Sequence, residues 1–491
     1  MHKIEFIKAK NNQTSCSADG IMLHSSYDPC KEAERFVQTA PVPFSPKYIL
    51  LTEPAISYCA RYLKEKYPEA KICCIRYVQD FSQYDIEWNK TFYIKEEAAL
   101  SEEIFSYMGE EGISACVFLS WKASEKVFKQ ENSTAWNAIK SAVLKSRSVL
   151  ATRSYFAKRW TKNTLRFCTF AKNTLEIQKG NLPVVICASG PSLFSSLNKI
   201  KENRNKFFLI AVSSALSPLV NRNIIPDMCI STDGGYWAKL HLSFALKKHN
   251  IPLALPAEGC CFAENIINTK IIPLFYGDGI SEEILKSCGY TKTPAQRNGS
   301  VSGTVAQLAL NLTTGNIYFC GLDLSPSTGF AHTQPNELEI NAARFDTRLL
   351  NSETRIAPSC FKNNSLEIYR SWFKNTDFKN RLFRLSDGYP YKNNLGSIID
   401  VDWEKAEIDF EKNKNGSKIE FIKTTKEFNQ EERINTLTKI IFERCKSEEW
   451  KKEAFTAEWI SFNRSNDESK RKELELKMNS FEKDILKSLG K

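Results

Sequence analysis

The segment best suited to bind an anion is Ser189-Gly190-Pro191-Ser192, which follows the apolar run 183–188. Glycine permits a tight turn there, and proline favours the first position of a helix. The N–H groups at the start of such a helix attract phosphate, so we expect them to face a ligand, with Ser189 and Ser192 adding hydroxyl donors. The segment is neither a Walker A loop nor a GxGxxG turn. An ordinary strand-to-helix connection is the alternative.

Three other predicted strands also end in polar or glycine residues. In a doubly wound sheet the carboxyl ends of parallel strands meet at one edge, so we expect these residues to converge on the glycine turn. Each of them taken alone is as well explained by a cap or a turn. The residues at these strand ends are Ser213, Asp233, Gly321 and Asp323.

A second helix start with small hydroxyl residues follows Arg297. Ser302, Gly303 and Thr304 open a stretch whose apolar residues recur at helical spacing. Such a start, together with the guanidinium, suits another anionic group such as a carboxylate. The alternative is a plain N-cap formed by Ser300 or Ser302.

The sequence has five histidines. One of them, His332, follows Asp323 by nine residues, in the loop after the predicted strand 317–320. Imidazole changes charge near neutral pH and accepts protons from hydroxyl groups, so this residue is a candidate general base. A histidine at the surface with no catalytic role is the alternative.

Alternating short apolar strands and helices predict an α/β fold whose centre is a doubly wound, mostly parallel, Rossmann-like sheet. We expect a smaller α/β domain at 1–150, a basic helical linker at 151–180, the central domain at 181–401 and a helical region at 402–491. The last region is rich in Lys, Glu and Asn, with apolar residues at steps of three and four.

Charge and cysteine content narrow the class of protein. Residues 1–150 and 401–491 are each neutral, so the whole net charge of +11 lies at 151–400. This favours an anionic ligand, or else a basic helix around 151–180. No nucleic-acid module is recognised.

The 15 cysteines include no CxxC pair, no apolar run reaches the ~18 residues of a membrane span, and no secretory signal is visible. We therefore expect a cytoplasmic protein with reduced thiols.

Several of these motifs together resemble the motility accessory factor (Maf) proteins, which are glycosyltransferases that modify flagellin. The resemblance covers residues 20–405, and the central domain is also similar to bacterial Rossmann-type sialyltransferases. It is similar, too, to an archaeal enzyme, the MptE-like (DUF115) 6-hydroxymethylpterin diphosphokinase. The motifs are Gly-Pro-Ser-Leu at 190–193, Ser-Thr-Asp at 231–233, Ser-Gly-Thr at 302–304, Gly-Leu-Asp-Leu at 321–324, His332, and the N-terminal runs 24–29 and 32–34.

The resemblance implies transfer of a nonulosonic acid, of the pseudaminic or legionaminic type, from a CMP-activated donor to Ser or Thr hydroxyls of flagellin. The nucleotide would lie over 190–192, with Ser213 and Asp233 nearby, and the sugar would be held by 302–304 and Arg297. His332 and Asp323 are the implied catalytic residues, with His332 deprotonating the acceptor hydroxyl so that the sugar is transferred with inversion. No cofactor or metal is required in this scheme.

Two departures keep other functions open. The sialyltransferases carry tyrosines after the Gly-x-Asp motif, whereas 324–330 contains none, so Ser325, Ser327 or a lysine would have to stabilise the leaving phosphate. His332 also follows Asp323 sooner than in those enzymes. The alternatives are a diphosphokinase that uses ATP and Mg²⁺ on a pterin alcohol, and a non-catalytic flagellin-binding factor. Whether the chain forms a homo-oligomer stays open.

Overall fold

The computed structural model describes residues 2–242, 245–325, 329–356, 364–389, 394–424, 429–465 and 468–490. The chain divides into two compact units. Unit 1 comprises Met1–Ala157 and Lys446–Phe481, and unit 2 comprises Lys158–Cys445 and Glu482–Lys491. Within the described ranges, no helix has both the length and the apolar character that crossing a bilayer requires.

The strands are numbered along the chain. They are β1 (Ile4–Lys8), β2 (Thr14–Ala18), β3 (Ile21–Met22), β4 (Tyr48–Thr52), β5 (Lys71–Arg76), β6 (Lys90–Tyr93), β7 (Cys116–Ser120), β8 (Leu175–Gln178), β9 (Val184–Cys187), β10 (Phe208–Val212), β11 (Met228–Ile230), β12 (Leu253–Pro256), β13 (Ile271–Phe275), β14 (Thr293–Pro294), β15 (Ile317–Cys320), β16 (Leu382–Leu385), β17 (Ile399–Val401) and β18 (Glu420–Lys423).

The helices are numbered in the same way. They are α1 (Pro29–Thr39), α2 (Tyr58–Lys66), α3 (Glu97–Ser114), α4 (Lys122–Val127), α5 (Lys129–Phe170), α6 (Leu193–Glu202), α7 (Leu216–Asn221), α8 (Ala245–His249), α9 (Ala263–Asn268), α10 (Gly279–Ser287), α11 (Val301–Leu312), α12 (Glu337–Ala343), α13 (Ser352–Ile356), α14 (Asn364–Asn375), α15 (Trp403–Asn413), α16 (Gln430–Arg444), α17 (Glu448–Ala454), α18 (Thr456–Ser465) and α19 (Glu468–Ser488).

Unit 1 contains a parallel sheet in the order β6-β5-β4-β7 and an antiparallel sheet in the order β1-β2-β3. The strands β4, β5 and β7 are apolar over most of their length because helices cover both faces of a parallel sheet. The chain adds β5 and then β6 on one side of β4, and later places β7 on the other side. The strand order therefore reverses between β4 and β7.

Unit 2 is built on a nine-stranded parallel sheet in the order β14-β13-β12-β11-β10-β9-β15-β16-β17. Both β9 and β15 are buried at every residue. The strand order reverses between β9 and β15, which is where open α/β sheets bind ligands. The predicted fold class, an α/β protein with a doubly wound parallel sheet, is confirmed.

The C-terminal region differs from the helical domain expected at 402–491. The structure divides that region, with α15, β18 and α16 belonging to unit 2 and α17 and α18 to unit 1. The strand β18 pairs antiparallel with β8 across a long stretch of sequence. Since β18 is short and largely exposed, its sequence carries no clear apolar alternation, and only the pairing with β8 fixes it as a strand.

Candidate functional site

Two glycines bring the loops after β9 and β15 into backbone contact at the reversal of strand order. The Gly190 N–H donates to the Gly321 carbonyl oxygen over 2.9 Å. A Cβ at Gly190 would lie 2.5 Å from that same oxygen, and a Cβ at Gly321 would overlap the carbonyl oxygen of Ala188. Gly321 also has a φ of +71°, which residues with a side chain rarely adopt. These two positions therefore require glycine.

Asp323 occupies the helix start that the sequence leaves open for a ligand. One carboxylate oxygen accepts from the Ser192 N–H over 2.9 Å, and the other accepts from the Ser192 hydroxyl. Asp323 is only 5% exposed. Burial raises its pKa, and the hydrogen bonds from Ser192 act in the opposite direction. The expectation of a free Ser192 N–H is thus corrected, because a carboxylate of the chain itself already satisfies it.

The buried guanidinium of Arg384 lies within electrostatic range of the Asp323 carboxylate. Arg384 on β16 donates to both carboxylate oxygens of Asp400 over 2.7 and 2.8 Å, and its guanidinium lies 4.7 Å from the ring centre of Tyr389. The positive charge of Arg384 and the Tyr389 hydroxyl both act to lower the pKa of Asp323. Asp323 is consequently placed to hold the turn rather than to touch a ligand.

The loop that carries His332 is fixed to the glycine turn by the next residue. The Thr333 N–H donates to the Ser189 carbonyl oxygen over 2.8 Å, and its hydroxyl donates to the Gly190 carbonyl oxygen over 2.7 Å. His332 is half-buried at the same edge of the sheet, and burial lowers its pKa. A neutral imidazole is thereby favoured at neutral pH, as a general base requires.

A second histidine, His241, belongs to the same cluster. It lies in the 3-10 turn Tyr236–Leu242 that follows β11. Burial and, to a smaller extent, the nearby charge of His332 lower the pKa of His241 to about 4, while the carboxylate of Asp233 acts in the opposite direction. His241, His332 and Asp233 therefore lie within electrostatic range of one another. Nothing in the sequence singles out His241, because its only marker is a position after the third strand end.

The remaining strand ends meet at this edge as expected. Ser213 is buried at the end of β10, and its neighbour Ser214 donates from its hydroxyl to that of Ser189 over 2.8 Å. Asp233 is exposed, and one of its carboxylate oxygens accepts from the Gly235 N–H over 2.7 Å. Pro191 and Gly190 are half-exposed beside them.

Arg297 is engaged by carboxylates of the chain. Its guanidinium forms a bidentate ion pair with the Glu258 carboxylate, in which one nitrogen–oxygen distance is 3.0 Å. It also donates to a carboxylate oxygen of Asp278 over 2.9 Å. Asn163 donates to the backbone oxygens of both Glu258 and Gly234, so this ion pair adjoins the loop that carries Asp233. A ligand would have to compete with two carboxylates for this guanidinium.

The second helix start is closed by its own cap. The Ser300 hydroxyl accepts from the Gly303 N–H over 3.0 Å, and Asn298 fills the space where a Gly303 side chain would stand. Thr304 is fully buried, and its hydroxyl donates to the Gln296 carbonyl oxygen over 3.1 Å. Ser302 is half-buried at the first turn of α11. The plain N-cap formed by Ser300, weighed as an alternative, is what the structure shows.

This geometry agrees with comparisons to known proteins. Residues 158–329 match the family described as 6-hydroxymethylpterin diphosphokinase MptE-like. Unit 2 therefore contains an MptE-like domain. The chain is also similar to an uncharacterised protein of Treponema pallidum (strain Nichols), with 27% identity over 343 residues, which is 67% of this chain and 75% of that protein.

The fold is shared with a solved Maf glycosyltransferase. The structure of the Maf glycosyltransferase from Magnetospirillum magneticum AMB-1 matches with a TM-score of 0.51 and 12% identity, over 99% of this chain and 87% of that one. The resemblance to Maf proteins is thus confirmed in the MptE-like domain and in the fold. His332 and Thr333 lie just beyond the range of the MptE-like match.

Proposed function

We propose that the chain is a glycosyltransferase that moves a nonulosonic acid from a CMP-activated donor to Ser or Thr hydroxyls of flagellin. The observation that carries the proposal is the half-buried His332, whose loop is tied through Thr333 to the glycine turn where the strand order reverses. The shared fold with a Maf glycosyltransferase supports it.

The chemistry follows from a neutral imidazole beside a nucleotide. His332 takes the proton of the acceptor hydroxyl as its oxygen attacks the anomeric carbon. The bond between that carbon and the phosphate oxygen breaks on the face opposite the attack, and CMP leaves with the bonding electrons, so the configuration inverts. Asp323 holds Ser192 and the glycine turn in place. Ser325 is half-buried in the same loop as His332, and Ser327, the other serine considered for the leaving phosphate, lies outside the described residues.

The test is the mass of flagellin isolated from cells that express variants. His332→Ala should lower transfer by roughly 10²–10⁴-fold, the usual contribution of a general base. His249→Ala is a control, because His249 belongs to α8 in the same unit and not to the cluster. A glycan mass on flagellin that is unchanged from the wild type in the His332→Ala strain would remove the base assignment. The same result after deletion of the whole gene would remove the transferase proposal.

A diphosphokinase remains the second candidate, because the MptE-like match names that activity. It would need ATP with Mg²⁺, which prefers one or two carboxylates plus water and phosphate oxygens. Asp323 has both oxygens hydrogen-bonded to Ser192, which leaves the exposed Asp233 as the accessible carboxylate. Among the described residues, no group of three or more His, Cys, Asp or Glu side chains is arranged around a metal position.

Calorimetry separates the two functions. Binding of CMP that is tighter than that of ATP and independent of Mg²⁺ would favour the transferase. Binding of ATP that requires Mg²⁺, with weaker binding of CMP, would favour the diphosphokinase.

A further inference from the structure

Exposed aromatic side chains follow Asp233 directly. Tyr236 is 54% and Trp237 is 64% exposed, and their ring centres lie 5.3 Å apart in an edge-to-face arrangement. Contiguous exposed apolar surface often marks a place where a ligand or partner binds, and aromatic rings dominate the energetics of such contacts. Their place, at the carboxyl edge of the sheet and beside the His241–His332 cluster, points to a ligand of the same site.

Lys239 is held between two rings of this group. Its ammonium nitrogen lies 3.7 Å from the ring centre of Tyr236 and 4.4 Å from that of Phe262. No carboxylate of the described residues pairs with Lys239. The loops that carry these residues are joined, because the Cys260 N–H donates to the Asp233 carbonyl oxygen over 2.9 Å. We call Tyr236, Trp237, Lys239 and Phe262 the aromatic platform.

Positive charge predominates around the loop that carries Phe262. Burial and the charge of Asp233 raise the pKa of the Cys260 thiol, and the charges of Arg166, Lys239 and Arg159 act in the opposite direction. Three cations and one carboxylate therefore lie within electrostatic range of Cys260. A flat, exposed aromatic surface with cations beside it suits a planar ring that carries phosphate.

The spacing of the strands also suits a nucleotide. Tyr236, Trp237 and Lys239 of the platform follow β11, which lies two strands from β9 in the order β11-β10-β9. Neighbouring strands are about 4.8 Å apart, so the two strand ends are separated by about 10 Å. A nucleoside monophosphate spans a similar distance between its base and its phosphate.

We propose that the aromatic platform binds the base of the donor nucleotide, chiefly by stacking on Trp237, and places its phosphate toward Ser189 and His332. This inference rests on the proposed function and adds a binding surface to it. Lys239 contributes positive charge beside the rings, which attracts the anionic nucleotide, whereas the rings contribute stacking.

The experiment is isothermal titration of the full chain with CMP and with ribose 5-phosphate, which lacks the base. Trp237→Ala should bind CMP roughly tenfold to hundredfold more weakly and leave binding of ribose 5-phosphate unchanged, since only the stacked ring is lost. Trp237→Phe should recover most of the affinity for CMP. Lys239→Met should weaken both ligands. Phe442→Ala is the matched control, an exposed aromatic on α16 in the same unit.

The outcomes are distinct. If Trp237→Ala binds CMP as tightly as the unaltered chain does, the platform does not bind the base and the inference is overturned, while the proposed function stands. If Trp237→Ala lowers only transfer to flagellin and not CMP binding, the platform belongs to the acceptor, which also overturns it. If the unaltered chain does not bind CMP, the proposed function fails and the inference with it.

Discussion

Each unit has a parallel sheet whose strand order reverses, and each places a buried carboxylate at that point. In unit 1 it is Glu53, which directly follows β4, and in unit 2 it is Asp323, which follows β15. The two carboxylates have different surroundings. The same topology encloses the carboxylate completely in unit 1, whereas in unit 2 exposed and half-exposed groups surround it.

The carboxylate of Glu53 is enclosed by the protein. It accepts from the Tyr77 N–H over 2.5 Å and from the Ala55 N–H over 3.1 Å, and it pairs with Arg76 over 3.1 Å. Arg76 also donates to the Ala55 carbonyl oxygen and to the Ser57 hydroxyl. Both charged side chains are fully buried, so no ligand can reach them. Burial raises the pKa of Glu53, and Arg76 acts in the opposite direction.

The carboxylate of Asp323 is also buried, but its neighbours are not. Gly190 and Pro191 remain half-exposed, Asp233 is exposed, and two half-buried histidines stand at the same edge. Unit 2 therefore uses its carboxylate to fix a turn while leaving groups that can titrate in reach of a ligand. A buried carboxylate at a reversal of strand order therefore indicates a functional site only where neighbouring polar groups are accessible to a ligand.

Removal of Arg76 should have the largest effect. Arg76→Ala leaves the Glu53 carboxylate buried without its cation, which typically costs about 3–5 kcal/mol. Urea unfolding of the full chain should show a lower midpoint for unit 1. Arg61→Ala is the control, because its pair with Glu65 is exposed to solvent and should contribute little to stability. Equal midpoints for the two variants would show that the sealed centre does not stabilise unit 1.

Gly321→Ala should come next. The Cβ would overlap the Ala188 carbonyl oxygen in a left-handed conformation, so we expect a loss of about 3 kcal/mol and disruption of the glycine turn. Gly277→Ala separates the two causes, since Gly277 has a φ of +85° with nothing within 4 Å of its Cβ position. It should cost only about 1 kcal/mol. Comparable losses in the two variants would mean that the close approach at the turn is unimportant.

Asp323→Asn should have a smaller and pH-dependent effect. The raised pKa means that Asp323 stabilises the folded state most below the unfolded pKa of about 3.9, and that this stabilisation is lost as the pH rises through its folded pKa. The variant does not titrate and loses one acceptor, at about 1–2 kcal/mol. Unfolding midpoints at several pH values should show the gap between the two proteins narrowing as pH rises. A gap that widens would contradict the raised pKa.

His241→Gln should have the smallest effect. With its pKa lowered to about 4, His241 is neutral from pH 5 to 8, so its loss should leave the acid limb of the pH–rate profile unchanged. That limb should lie below pH ~6.5 because burial lowers the pKa of His332. Transfer rates from pH 5 to 8 would test both statements. Movement of the limb in His241→Gln would assign the titration to the pair rather than to His332.

Local sequence predicted much of the fold around the site. The apolar runs at 184–187 and 317–320 are strands, as expected, and the Gly190-Pro191 turn lies between β9 and α6. These features depend on short-range rules of apolar patterning, turn residues and helix starts. Glycine widens the range of backbone conformations and proline narrows it, whatever surrounds them.

The partners of the site residues could not be predicted in this way. Nothing in the sequence indicates that Asp323 would take the Ser192 N–H, that Glu258 would bind Arg297, or that Ser300 rather than Ser302 would cap α11. Each of these contacts joins groups whose chemistry is satisfied equally well by several partners. The order in which strands add to the sheet decides which partner is near.

The sequence by itself therefore determined the elements, the glycine turn and the class of sheet, because those follow from the conformational limits of neighbouring residues. Only the tertiary structure decided which polar groups pair with one another. It also decided which groups remain accessible to a ligand, such as His241, His332 and the aromatic platform. Hydrogen bonds and ion pairs are short-ranged, so their partners depend on distances that folding alone sets.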